Sequence, residues 1–152
     1  MKNRIYDAYR GEIYGISFFS YFAKNYAEKS HLQLWETLIQ IETLTADLLE
    51  ASLDRLLVKY DRYDSDMQQK GEEDAAAWLD LPWPALVQTL IDWVKPYETK
   101  YRLWAEESTE ERDTFLVIAA HETAIYQCWQ TEIHGQSGIP SLLKFIKQYS
   151  AR

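Results

Sequence analysis

Apolar residues recur along this chain at three- and four-residue intervals, the spacing that gathers them on one face of an α-helix. The pattern predicts five helices: about Asn3 to Glu28, Ser30 to about Tyr60, about Pro82 to Glu107, Ser108 to the glycines of "HGQSG", and a short last helix in "PSLLKFIKQY". The punctuation between them fits. "SHLQ" and "STEE" read as capping boxes at the second and fourth helix starts. Pro82 suits a first turn, and Gly135 and Gly138 end the fourth helix. Pro96 predicts a kink, because an interior proline removes a backbone hydrogen bond. The polar stretch "DRYDSDMQQKGEEDAAAWLDLPWP" reads as a linker with one short helix in "EEDAAAWLD".

Four helices of roughly 25 to 30 residues are each about 40 Å long. Very short turns after the first and third make two antiparallel hairpins. The linker of about 20 residues can span more than 40 Å when extended, enough to run the length of the helices. The expected fold is therefore all-α: a four-helix bundle of two hairpins joined by a long crossover, with a short C-terminal helix, in one domain over residues 1–152.

One feature breaks the apolar stripes. At about 100° per residue, Ile5, Tyr9, Ile16, Phe19, Ala23 and Tyr26 all fall within about 60° of Glu12. Glu42 shares a face with Trp35, Leu38, Ile39, Thr45, Leu49, Leu53 and Leu56. Glu122 is flanked by Phe115, Ile118, Ala119, Ile125, Tyr126, Trp129 and Ile133. The third helix's seam reads Trp83, Leu86, Val87, Leu90, Val94, Tyr97, Tyr101 and Trp104, with Asp92 opposite and Glu98 at its edge. All three glutamates are expected about 20 Å from the helix turns, near mid-bundle. A lone ionised carboxylate in an apolar interior costs several kcal/mol or more, so it takes a proton, pairs, or binds a cation. Lys24, Arg55, Lys95, Lys100 and Arg102 all lie off the seams. The acids therefore either share protons and hydrogen bonds with nearby tyrosines or surround a metal. Iron or manganese suits a carboxylate-rich site with imidazole.

Composition narrows the rest. The chain is 47% hydrophobic and 14% aromatic, which is a globular composition. Its net charge of −8, without a basic stripe, argues against nucleic acid and anionic membrane surfaces as partners. No N-terminal leader pattern or apolar run of about 20 residues is seen, so a soluble, unprocessed protein is expected. One cysteine, Cys128, excludes an internal disulfide and fits a cytoplasmic home; beside Trp129 it reads as buried and inert. His31 and His134 sit near helix ends and read as incidental. No catalytic triad or glycine-rich phosphate loop is present.

The segments "GEIYGISFFSYFAKN", "LIQIETLTADLL" and "AAHETAIYQCW", with the 30-residue interval from Glu12 to Glu42, resemble the first, second and fourth helices of the ferritin-like superfamily of rubrerythrin, bacterioferritin and related di-iron proteins. Hairpins, crossover and final helix extend the resemblance over nearly the whole chain. It implies a bundle-core metal site and an oxidoreductase acting on oxygen or peroxide. The family also places Glu-x-x-His on its second and fourth helices, where this chain has Thr45 and Ile125. The resemblance then implies a rebuilt site of Glu12, Glu42, Glu122 and His121, with Glu98 reaching in past Pro96. His121 is rotated about 100° from Glu122, so it reads either as a nitrogen ligand or as a packed histidine. The alternative is a metal-free protein on the same scaffold, its glutamates a hydrogen-bonded cluster, acting by binding a partner or small molecule. Trp78 and Trp83 are then candidates for a homodimer contact or a pocket.

Overall fold

The structure, a computed structural model, describes residues 1–150. They form six α-helices: α1 (Lys2–Asn25), α2 (Leu32–Arg55), α3 (Ser65–Trp78), α4 (Trp83–Glu107), α5 (Arg112–Ile133) and α6 (Ile139–Tyr149), with a 3₁₀ turn at Lys29–His31. Among the described residues there is no strand, so the all-α expectation holds. None of these helices is long and apolar enough to cross a membrane. The sequence reads as one domain; the chain divides into two compact units, Met1–Asp80 and the remainder from Leu81.

In the first unit α1 packs on both α2 and α3. This is why α1 buries far more than the single stripe predicted. Besides Ile5, Tyr9, Glu12 and Phe19, it buries Ala8, Ile13, Tyr14, Gly15, Phe18 and Phe22. Phe22 stacks on Trp35 of α2 with ring centroids 4.7 Å apart, and Phe18 meets Trp78 of α3 edge-on at 6.0 Å. Full burial of such side chains contributes roughly 1.5–3 kcal/mol each.

α3 is the largest departure from the sequence reading. The stretch read as a linker with a short helix is a helix of 14 residues that starts at Ser65. Asp64 caps it, accepting a bond from the Met67 N–H at 3.2 Å, and also takes the Arg10 guanidinium of α1 at 3.1 Å. The Tyr14 hydroxyl of α1 donates to Asp74 at 2.6 Å. Gly71 and Ala75 are the buried residues of α3. A Cβ at Gly71 would lie 2.5 Å from the Tyr14 carbonyl oxygen and 3.1 Å from the Phe18 nitrogen, so the two backbones approach as closely as glycine permits.

The Asp64 contact carries a pH dependence. Burial raises its carboxyl pKa, but the Met67 N–H and Arg10 outweigh burial and leave it below the ordinary value of 3.8. A carboxyl depressed in the folded state contributes stability that is full above its unfolded pKa and lost as pH falls through the folded one. Urea melts are therefore expected to show a loss of stability below about pH 4 that shrinks in Asp64→Ala. Equal acid sensitivity in the two proteins would remove Asp64 from the account.

The helix ends differ from the capping boxes read in the sequence. Ser30 lies in the 3₁₀ turn and its hydroxyl donates to Glu28 at 3.3 Å, so α2 starts at Leu32 instead. Ser108 follows α4 and donates back to the Ala105 carbonyl at 2.8 Å; α5 starts at Arg112, after Glu111 at a φ of 55°. Neither hydroxyl caps a helix; each donates to a nearby acceptor. α2 also stops five residues short of Tyr60. There the Val58 N–H bonds to the Leu53 carbonyl at 2.9 Å and the Leu57 N–H to Asp54 at 3.1 Å, closing a Schellman motif. α5 ends the same way through Gln136 and Gly135.

The two Schellman ends use different residues at the left-handed position. Gly135, at φ 78°, is suited to it; Leu57, at φ 59°, is not, and its side chain is 90% exposed. A non-glycine residue there costs about 1–2 kcal/mol, against roughly 0.5–1 for the extra freedom glycine loses. Leu57→Gly is expected to stabilise the protein by about 0.5–1 kcal/mol in urea melts. A loss of stability would mean that the leucine packs on something.

In the second unit α5 packs on α4 and carries α6 on another side. Trp83 meets Trp129 at 6.1 Å and Trp104 meets Phe115 at 6.3 Å. α4 runs through Pro96, whose ring is exposed, and Tyr97 leaves the expected seam, being 43% exposed. α6 buries Leu142, Phe145 and Tyr149. Its approach depends on Gly138, where a Cβ would overlap the Cys128 carbonyl oxygen, and on the Gly138 N–H, which donates to Glu132 at 2.6 Å.

Candidate functional site

Each unit places candidate residues in its interior. In the first, Glu12 is 3% exposed and Glu42 is 5% exposed. A carboxylate oxygen of Glu12 lies within 4.8 Å of one of Glu42. The helices make this pairing possible through a gap. Gly15 stands three residues after Glu12 on the inner side of α1, and a Cβ there would sit 2.5 Å from the Glu42 Cδ. The Glu42 carboxylate thus occupies the space a side chain on α1 would fill.

Two carboxylates at this separation repel each other by about 3 kcal/mol, taking an effective dielectric constant of about 20. Such a repulsion is relieved by a shared proton, by hydrogen-bond donors or by a cation. Two arginines of this unit pair with acids at its polar edge. Arg10 holds Asp64, and Arg62 bonds to Glu50 at 2.7 Å and Asp47 at 2.9 Å. Lys24 and Arg55 are exposed, as the periodicity predicts.

One turn before Glu12, the buried Tyr9 hydroxyl donates to Glu50 at 2.6 Å. Burial, then that bond, pushes the phenol's pKa well above its ordinary range, so it stays protonated. The sequence left nearby tyrosines as donors to the core glutamates; Tyr9 serves Glu50 instead, sharing one carboxylate oxygen with Arg62, and the Tyr60 ring meets it edge-on at 5.1 Å.

In the second unit His121 is 2% exposed although it is rotated off the predicted seam. From α6, Phe145 meets the imidazole edge-on, centroids 5.9 Å apart. Glu122, on the seam, is half-buried. Glu98 is buried, but its carboxylate takes Arg102 Nε at 3.2 Å and the Thr123 hydroxyl of α5 at 3.4 Å. It joins α4 to α5. Cys128 is fully buried, and burial pushes its thiol far up, which fits an inert residue. Trp78 and Trp83 are both half-buried, each against an aromatic ring of its own unit.

The carboxylate pair depends on a residue the sequence reading did not single out. Gly15 was legible as a cost: glycine inside a helix loses about 1 kcal/mol relative to alanine, which points to a packing reason. That the reason is the carboxylate of Glu42, 27 residues away in the chain, emerges only once α1 and α2 are docked.

No family model, curated protein or solved structure matches this chain.

Proposed function

We propose that this is a metal-binding protein of ferritin-like type, in which Glu12 and Glu42 hold iron or manganese. His121 supplies a nitrogen ligand and Glu122 a further carboxylate. The observation that carries the reading is the buried Glu12–Glu42 pair with the Gly15 gap that admits it. His121 and Glu122 enter on the resemblance to the ferritin-like superfamily, and His121 also on its burial and on the preference of iron and manganese sites for mixed carboxylate and imidazole donors.

The residues fit such an ion. Two carboxylate oxygens bound at about 2.0–2.2 Å to one centre lie closer together than about 4.5 Å, a small adjustment of flexible side chains from the separation seen. The ion would cancel the repulsion between the two acids. Iron or manganese in this setting supplies redox chemistry toward oxygen or peroxide, which makes an oxidoreductase the expected activity class. The chain's own share is to hold the ligands in its interior, where Glu12 and Glu42 are 3% and 5% exposed.

Elemental analysis of untagged protein tests this. About one Fe or Mn per chain is expected, with loss of most of it in Glu42→Gln, which keeps the shape and removes the charge. Added Mn(II) or anaerobic Fe(II) is expected to raise the melting temperature of the native chain and not of the variant. A native protein that carries no metal and whose melting point ignores both ions would leave the metal-free binding scaffold as the surviving account.

A further inference from the structure

We propose that residues 56–64, between α2 and α3, form a strap whose local opening sets the rate at which a metal ion reaches the Glu12–Glu42 pair. The proposal rests on the metal-binding reading and adds a gate to it. The strap is lightly held. It leaves α2 through Leu57 in the left-handed conformation, and no residue in it is buried. Its grip on the helices is polar. Arg62 reaches back to Asp47 and Glu50 of α2 at 2.9 and 2.7 Å, and the Tyr60 hydroxyl donates to Asp54 at 2.9 Å. Few buried apolar contacts and ion pairs within reach of solvent mark the segments that open first.

The strap closes over a particular residue. The Tyr60 ring lies edge-on against Tyr9 at 5.1 Å, and Tyr9 is 1% exposed. Tyr9 and Glu12 are both buried on α1 and stand one turn apart, about 4.5 Å along the axis. The Glu50 oxygen that takes Arg62 also takes the Tyr9 hydroxyl. Release of Arg62 and Tyr60 therefore uncovers Tyr9, one turn from the proposed ligand. It also bares Asp47, Glu50 and Asp54, which at spacings of three and four lie on one face of α2. Three carboxylates at an opening concentrate cations there. In the closed state Arg62 supplies the positive charge that an arriving divalent ion brings, so the two compete for the same acids.

Mn(II) uptake by the full chain, first stripped of metal, is followed after rapid mixing through the loss of the free-ion EPR signal. Hydrogen exchange of the strap amides is measured beside it by mass spectrometry. Arg62→Gln is expected to take up and release Mn(II) about three- to tenfold faster, with unchanged affinity. Exchange in residues 57–64 is expected to quicken while the interiors of α1 and α2 keep their protection, which shows the fold intact. Arg62→Lys is expected to fall between the two. Strap exchange in the native chain is expected to quicken at about 1 M NaCl, where the screening length is about 3 Å. Equal Mn(II) rates in the native and Arg62→Gln chains, with strap exchange quickened, would overturn the gate and leave the metal site standing. Unchanged strap exchange in Arg62→Gln would overturn the strap itself. A native chain that takes up no Mn(II) would sink the metal-binding reading and the gate with it.

Discussion

Gly71→Ala is expected to destabilise the protein by about 1–3 kcal/mol and to loosen α3 from α1. An alanine in a helix would ordinarily gain about 1 kcal/mol over glycine. Here the new methyl meets backbone on the facing helix, the Tyr14 carbonyl oxygen at 2.5 Å and the Phe18 nitrogen at 3.1 Å. Backbone atoms inside a packed helix cannot step aside as a side-chain tip can. The helices must separate, and that separation strains the Tyr14–Asp74 hydrogen bond and the Phe18–Trp78 contact together. Gly11→Ala is the internal control, because a Cβ at Gly11 of α1 meets nothing within 4 Å. It is expected to gain up to about 1 kcal/mol. Urea unfolding followed by circular dichroism measures both. If Gly71→Ala proved as stable as Gly11→Ala, the close docking of α3 on α1 would be wrong.

Gly15→Ala is expected to act on metal binding rather than on folding. Its methyl would lie 2.5–2.7 Å from the three terminal atoms of Glu42. Those atoms end a flexible side chain, so the carboxylate swings away and α1 stays in place. The helical gain of alanine, about 1 kcal/mol, offsets the cost of the displaced acid. Under the proposed function the consequence is selective. A ligand at a hundred times its Kd stabilises the native state by about 2.7 kcal/mol, and each tenfold loss of affinity removes about 1.4 of it. The variant is expected to fold near the native midpoint and to lose at least about tenfold in Mn(II) affinity. This is read as a smaller thermal shift at fixed metal. Undiminished Mn(II) binding in Gly15→Ala would show that Glu42 in its present position is not a ligand.

Much of this was legible locally. The three-and-four spacing located α1, α2, α4, α5 and α6 and put Glu12 and Glu42 on the buried side, because helical periodicity acts over a few residues of one segment. Gly135 announced the end of α5 for the same reason. The helix starts were misread at Ser30 and Ser108, whose hydroxyls donate to Glu28 and to the Ala105 carbonyl in the turns before α2 and α5. Tyr97 was assigned to the seam by periodicity, yet it is Glu98 that turns inward, held by Arg102 and Thr123.

The sequence alone determined that the chain is helical, where most of its helices run, and that Glu12 and Glu42 lie off the water-facing sides. Each of these follows from the geometry of a single helix. Only the tertiary structure decided that a polar stretch becomes α3 and covers α1, that His121 is buried and meets Phe145 of α6, and that the Glu42 carboxylate fills the gap at Gly15. These outcomes depend on shape and charge meeting between residues far apart in the chain, and a one-dimensional period carries no record of which faces will meet.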